Sequence, residues 1–393
     1  MTDPDVFDFD TPVKRRGTSS MKWEKYKDRD IIPMWVADMD FRSPPAVIRA
    51  IAQRTAHGVF GYPTTPEKLN DRVVATLQET YEWEIKPEWL VWLPGLVTGI
   101  NVACRAVGED GDDVMTAVPA YPPFLSAPGY SRRSLTKVPL KEKDNRWQFD
   151  FGRLEQMITA KTRMFILCNP HNPVGRVYTR NELTQLAAIC NKHDIVICSD
   201  EIHCGLILDK DKVHVPTAVL DPEVAARTIT LMAPSKTFNL PGLGCAFAVI
   251  SDTDLRRRFQ SAMAGIVPRP NVLGYAAAIA AFSACADWHA ALLDYLRGNR
   301  ETIAGAIRQM PPLSIAPVEA TYLAWIDMRA AGLKEPVKFF EKAGVGLQDG
   351  IEFDGPGFVR LNFGCARSLL EKSLARMQTA MNIHHRVDNL NDA

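Results

Sequence analysis

A chain of 393 residues, 46% hydrophobic and 23% charged, has the make-up of an ordinary globular protein long enough for two or three domains. Its 46 basic and 46 acidic side chains cancel, and no basic stripe or charge block stands out, which argues against nucleic acid or an anionic membrane as a partner. No run reaches about 18 uninterrupted apolar residues and the opening MTDPDVFDFD lacks an apolar signal core, so no membrane span and a cytoplasmic location are expected.

In chain order, the first forty-five residues are rich in Pro and aromatics without clear periodicity (IIPMWVADMDFRSPP), and predict an arm lying over other structure. A helix should start near Pro45, with proline at an early helical position, and run to His57. From about residue 90 to 250, short apolar runs alternate with helical patterns. The runs are DVMTAVPA, RMFILCNP, IVICSDEIH, TITLMAPS and CAFAVI. Between two of them, TRNELTQLAAICNKH opens on a capping-box pair, Thr179 and Glu182. This alternation predicts an α/β fold with a mainly parallel sheet. The alanine-rich stretch from Val272 to Ala286 reads as a buried helix. Beyond it come a long helix, short strands around TYLAWIDM and GFVRLNFG, and a terminal helix from about Ser368, together a smaller α+β domain. The expected division is an arm at 1–45 packing with the small domain, a large domain at 46–285 and the small domain at 286–393. The eight cysteines contain no C-x-x-C pair and mostly lie in apolar runs, so they predict core residues, not disulfides or a metal site.

Ligands of open α/β sheets sit beyond the carboxyl ends of the strands, and several predicted strand ends carry unusual chemistry. ILCNPHNPVG supplies Asn169 and Asn172; ICSDEIHCG supplies Asp200, Glu201 and His203; LMAPSKTF supplies Ser235 and Lys236. WLPGLVTGINVACRAV runs a glycine-containing turn into a helix whose first N–H groups could hold a phosphate, and PAYPPF offers Tyr121 as an aromatic face. Each alone has a plain reading: a solvated strand end, a turn, packing glycines, a half-buried tyrosine. Together they match pyridoxal 5′-phosphate (PLP), which needs a Schiff-base lysine, an acid on the pyridine nitrogen and a phosphate site. On that reading Lys236 is a reactive amine.

The sequence resembles the fold-type I PLP enzymes, the aspartate aminotransferase superfamily. Within it, it is most similar to bacterial carbon–sulfur lyases of the cystathionine β-lyase and maltose-regulon-modulator group. The blocks that carry this are RRGTSSMKWEKY, IPMWVADMDF, HGVFGYP, HNPVGRVYT, SDEIHCGL, APSKTFNLPGL, TYLAWIDMR and RLNFGCARSLLEK. The resemblance implies a fold-type I transferase architecture and a role for each matching residue. Lys236 would bind the cofactor covalently and act with Tyr121 as catalytic group, and Asp200 would pair with the protonated ring nitrogen. Asn172 would bond the ring's phenolate oxygen and Tyr121 would stack on the ring. Ser235 and the N–H groups of Leu96 and Val97 would hold the phosphate, joined by Tyr62 from a partner subunit. Arg360, with Asn172 and the backbone at Ala37, would take the substrate carboxylate. His203 would support the Asp200 carboxylate or be a core histidine; both readings stay open. Met34 and Met39 are expected as packing, as is Trp35, which could also line the pocket.

Two positions depart from the pattern. Gly244 stands where superfamily aminotransferases often carry a phosphate-binding arginine, and Ala320 stands in EATYL where the lyases usually have glycine. The expected reaction is β-elimination of cystathionine or another cysteine S-conjugate by a homodimer. The alternatives are an aminotransferase, or a regulatory protein that keeps the fold and binds a transcription activator.

Overall fold

The computed structural model describes residues 7–143 and 146–391, with side chains as far as His384. The first six residues of the expected arm and the last two of the expected small domain lie outside the described residues. After the arm come helices α1 (Pro45–Ala56) and α2 (Glu67–Tyr81). Then β1 (Leu90–Leu93), α3 (Leu96–Ala106), β2 (Asp113–Val118), α4 (Pro122–Tyr130) and β3 (Ser134–Pro139) follow. Next are β4 (Thr162–Cys168), α5 (Arg180–Lys192), β5 (Val196–Asp200), β6 (Thr228–Met232) and β7 (Ala246–Val249). These seven strands form one sheet in the order β1-β7-β6-β5-β4-β2-β3. Only β7 runs against its neighbours, so the predicted mainly parallel sheet has one reversed strand.

Every residue of β2, β6 and β7 is buried, as a sheet covered by helices on both faces requires. The expected capping box is present: Thr179 Oγ1 accepts from the Glu182 N–H and the Glu182 carboxylate accepts from the Thr179 N–H. Among the elements not legible in the sequence are β1, β3, α2 and α4. β1 is a largely buried apolar run but only four residues long, and β3 is an edge strand with mostly exposed or half-buried positions and so shows no buried apolar run.

Helix α6 (Val272–Ala284) meets α7 (Ala286–Arg308) at an 82° bend. Among the described residues no single helix is long and apolar enough to cross a membrane. Beyond α7 lie β8 (Ser314–Ile315), β9 (Leu323–Asp327), β10 (Gln348–Asp349), β11 (Phe358–Asn362) and the terminal helix α8 (Arg367–Asn391). They include a four-stranded antiparallel sheet ordered β8-β9-β11-β10. The arm joins this part of the chain. Ile32 and Pro33 pair in parallel with Val345 and Gly346, and Met34 packs into the same apolar core as Leu292, Leu323 and Leu361. On this packing we propose the division 1–45, 46–285 and 286–393 for the domains. All eight cysteines are free, and seven are buried.

Candidate active site

Strands β4, β5 and β6 lie side by side, with Cys168 opposite Asp200 and Asp200 opposite Leu231, so the segments leaving them converge. The segment after β6 is a tight turn in which the Phe238 N–H donates to Pro234 O (2.9 Å) and the Leu240 N–H to Ser235 O (2.8 Å). It carries Lys236, whose half-buried amine donates to the Ala37 carbonyl of the arm. Burial, then the Arg360 charge, lowers the Lys236 pKa to about 8, against the opposing pull of Asp38 and Asp200. Asp200 ends β5 and is almost fully buried; its Oδ1 accepts from the Ile202 N–H at 3.1 Å. Burial pushes its carboxyl up to about 7, outweighing that hydrogen bond and Lys236. An amine and an acid, both drawn towards neutrality, thus stand on adjacent strand ends.

Arg360 enters from β11 and is 2% exposed. Its Nη1 donates to Asn172 Oδ1 (2.9 Å), and its Nη2 to the Trp35 carbonyl (3.0 Å) and to Gln348 Oε1. Its Nε is buried without a hydrogen-bond partner among the described residues, and the guanidinium lies 4.7 Å from the Phe353 ring centroid. Among the described residues no carboxylate pairs with it, and burial brings its pKa down to about 10. Tyr121 precedes α4, half-buried, its phenol pushed up by burial and sensitive to both Arg360 and Asp200. Leu96 and Val97 open the eleven-residue helix α3 behind Gly95, and a Cβ at Gly95 would meet nothing within 4 Å. That leaves open space at a helix N-terminus, where backbone N–H groups favour an anion.

The residues match the model for "Aminotransferase class I and II" over positions 29–377. The chain belongs to the class I and II aminotransferase family. Among its relatives, "Cystathionine beta-lyase PatB" of Bacillus subtilis (strain 168) is 36% identical over 389 residues, covering 95% of this chain and 99% of the relative. Two solved structures are similar throughout. "Crystal Structure of OvoB" has 45% identity, a TM-score of 0.94 and coverage of 95% and 99%. The PLP-bound C–S lyase from Staphylococcus hominis has 30% identity, a TM-score of 0.90 and coverage of 96% and 98%.

Against this family's pattern, the fold brings Asp200, Lys236, Asn172, Arg360 and Ala37 into one connected set. His203 stands apart from Asp200 in hydrogen bonding. Its buried ring meets Tyr322 edge-on at 6.4 Å, its Nδ1 has no partner, and burial keeps it neutral. Tyr62 is fully exposed beside Val59 and Phe60. Gly244 has φ +58° and a Cβ there would come within 3.1 Å of the Pro94 carbonyl, so an L side chain at this position is strained and crowded. Ala320 is fully buried, bridged to Ile207, with its N–H on Gly175 O.

The aminotransferase-family site also contains residues that sequence reasoning passed over. Tyr322 Oη donates to the Ala37 carbonyl at 2.9 Å, beside Lys236. Asn239, in the Lys236 turn, receives from the Met39 N–H and donates to the Met39 and Phe41 carbonyls. Asn362 donates to the carbonyls of Val36 and Asp38. Lys22, fully buried, pairs with Asp40 at 2.8 Å, and Arg15 spans Asp38 (2.6 Å) and Asp40 (2.7 Å). The block RRGTSSMKWEKY and the aspartates of ADMD were the available signal for this cluster.

Proposed function

We propose that this protein is a PLP-dependent carbon–sulfur β-lyase that converts L-cystathionine or another cysteine S-conjugate, with water, to a thiol, pyruvate and ammonia. The observation that carries it is the Lys236 amine and Asp200 carboxyl, both shifted towards neutrality, in one site with a buried arginine that no carboxylate among the described residues pairs with. The names of PatB and of the S. hominis lyase support the reaction class over aminotransfer.

The residues fit the cofactor. Open space at Gly95 leaves room for a phosphate on the α3 N–H groups of Leu96 and Val97, with Ser235 nearby in the chain turn that holds Lys236. Asp200, raised to about 7 by burial, suits a protonated ring nitrogen. When bound, PLP supplies an aldehyde that captures the substrate amine and a ring that takes up the electron pair from Cα. With PLP bound, Tyr121 would cover the ring face and Asn172 would face its phenolate oxygen, and His203 would add a neutral neighbour. Arg360 takes the substrate carboxylate, fixing which Cα bond is presented. Lys236 Nζ removes the Cα proton as general base, for which a pKa near 8 is well matched. The Ala37 carbonyl holds that amine on the correct side, and the Cβ–S bond breaks with the electron pair leaving on sulfur.

We place the enzyme in the cytoplasm, where eight unpaired cysteines remain reduced, and read it as a homodimer. Val59 and Phe60 are 62% and 57% exposed, and each lines a surface groove with the fully exposed Tyr62, an apolar patch suited to a second copy. There Tyr62 would reach the partner's phosphate site. The test is pyruvate release from L-cystathionine without any keto acid, by protein carrying a visible absorbance band that borohydride abolishes. Lys236→Ala should retain cofactor through the other contacts and lose turnover by at least about 10²-fold. Activity that requires a keto acid would move the assignment to aminotransferase, and near-normal turnover in Lys236→Ala would remove the proposed base.

A further inference from the structure

Gln348 lies on the edge strand β10 directly opposite Arg360 in the β10–β11 ladder, so both side chains share a face. Its half-buried amide bridges two charges: Oε1 accepts from Arg360 Nη2, and Nε2 donates to Glu352 Oε2 at 3.0 Å. Counting the donors of Arg360 shows what this means. A guanidinium has two edges that can present parallel N–H groups to a carboxylate, Nε with Nη2 and Nη1 with Nη2, and Nη2 belongs to both. Both Nη2 hydrogens are occupied, one by the Trp35 carbonyl and one by Gln348 Oε1. Nη1 has one hydrogen on Asn172, and Nε has none engaged. The two free N–H groups are therefore on different edges and cannot form a forked pair.

A carboxylate arriving for two-point binding has to evict one Nη2 acceptor. The Trp35 carbonyl is main chain, flanked by Met34 and Val36 whose own backbone is bonded to Gly346 and Asn362. The Gln348 amide is a neutral side chain on a two-residue edge strand and can rotate away. We infer that Gln348 is a displaceable stand-in for the substrate carboxylate on Arg360, which keeps the guanidinium bonded in the free enzyme and sets substrate affinity by having to leave. This rests on the reading that Arg360 receives the carboxylate. Glu352 holds the departing amide at its other end, so the exchange is a swing about the Nε2 contact.

The experiment uses the holoenzyme, with L-cystathionine as substrate and acetate as a minimal carboxylate competitor. Gln348→Ala should lower KM and the acetate inhibition constant by the same factor, about five- to tenfold, with kcat changed less than twofold. Gln348→Glu places a tethered carboxylate on the same N–H, repelled towards Arg360 by Glu352. It should raise both constants more than about tenfold. Acetate should raise the melting temperature more in Gln348→Ala than in the parent, and not at all in Gln348→Glu, a readout independent of turnover. A KM that rises in Gln348→Ala, or constants unmoved in both variants, overturns the inference. Arg360→Met separates it from the reading beneath it. If Arg360→Met keeps acetate inhibition and KM, the carboxylate site itself is misassigned; if it loses both while the Gln348 variants stay like the parent, only the role of Gln348 falls.

Discussion

Lys236 and Asp200 depart from their usual ranges in opposite directions, and the two departures have opposite consequences for stability against pH. Asp200 rises from 3.8 to about 7 on folding, so between those values the folded chain binds a proton that the unfolded chain has released. Stability must fall as pH rises through that window. Lys236 drops from 10.5 to about 8, so from about 8 upwards the unfolded chain holds a proton that the folded chain has lost, and stability must rise. The pair therefore contributes least near pH 7 to 8. Urea unfolding of cofactor-free protein from pH 4 to 10 should show Asp200→Asn removing the falling limb and Lys236→Met the rising one. Profiles that both substitutions leave unchanged would mean the two groups are solvated. The same attention to single residues explains Gly244. Its left-handed backbone, and the 3.1 Å that would separate an added Cβ from Pro94 O, disfavour the arginine that many aminotransferases have there.

At the level of elements, the arm depends on charges that its composition conceals. Lys22 is fully buried and its amine reaches Asp40 at 2.8 Å, with the Trp23 indole N–H on the same carboxylate at 2.9 Å. Removing one member of a buried pair leaves an uncompensated charge, at a cost of about 3–5 kcal/mol. Asp40→Ala should thus lower the urea midpoint by that equivalent, whereas Thr179→Ala at the helix α5 cap should cost only about 1 kcal/mol. Equal small effects would show that Lys22 finds water. The five apolar runs, the capping box and the α7 and β11 regions were legible because each rests on a local pattern: alternation, a pair three residues apart, a long amphipathic run. Lys236, Asp200 and Asn172 were legible because strand ends concentrate ligand chemistry in α/β sheets, whereas Arg360, inside a strand of the antiparallel sheet, was reached only through the family resemblance of RLNFGCARSLLEK. Gln348, Tyr322, Asn239 and the Lys22–Asp40 pair were not, since each acquires its meaning from a tertiary partner outside its own local pattern, from 12 positions away for Gln348 and Arg360 to 285 for Tyr322 and Ala37. The reversal of β7 was hidden for a similar reason: a fully buried strand reads the same in either direction.

Across the whole molecule, a fully exposed Tyr62 within an apolar patch argues for sites shared between two chains. Mixing Tyr62→Ala with Lys236→Ala, each inactive alone, should restore about a quarter of parent activity after random subunit exchange. Half the dimers are then hybrids, each with one site free of both lesions. Exchange demonstrated by mass without any return of activity would assign Tyr62 to its own chain's site.

The arm, finally, reduces the number of independent ways this molecule can move. Residues 36–41 are bonded on one side to Asn362 in the antiparallel sheet and on the other to Asn239 in the turn that carries Lys236. Between those two anchors lies the Ala37 carbonyl, which receives both Lys236 and Tyr322. Any rotation of one sheet against the other must pull on this short span, and so shift the oxygen against which the lysine amine rests. The position of the lysine amine is therefore referenced to both sheets at once, through six residues of the arm.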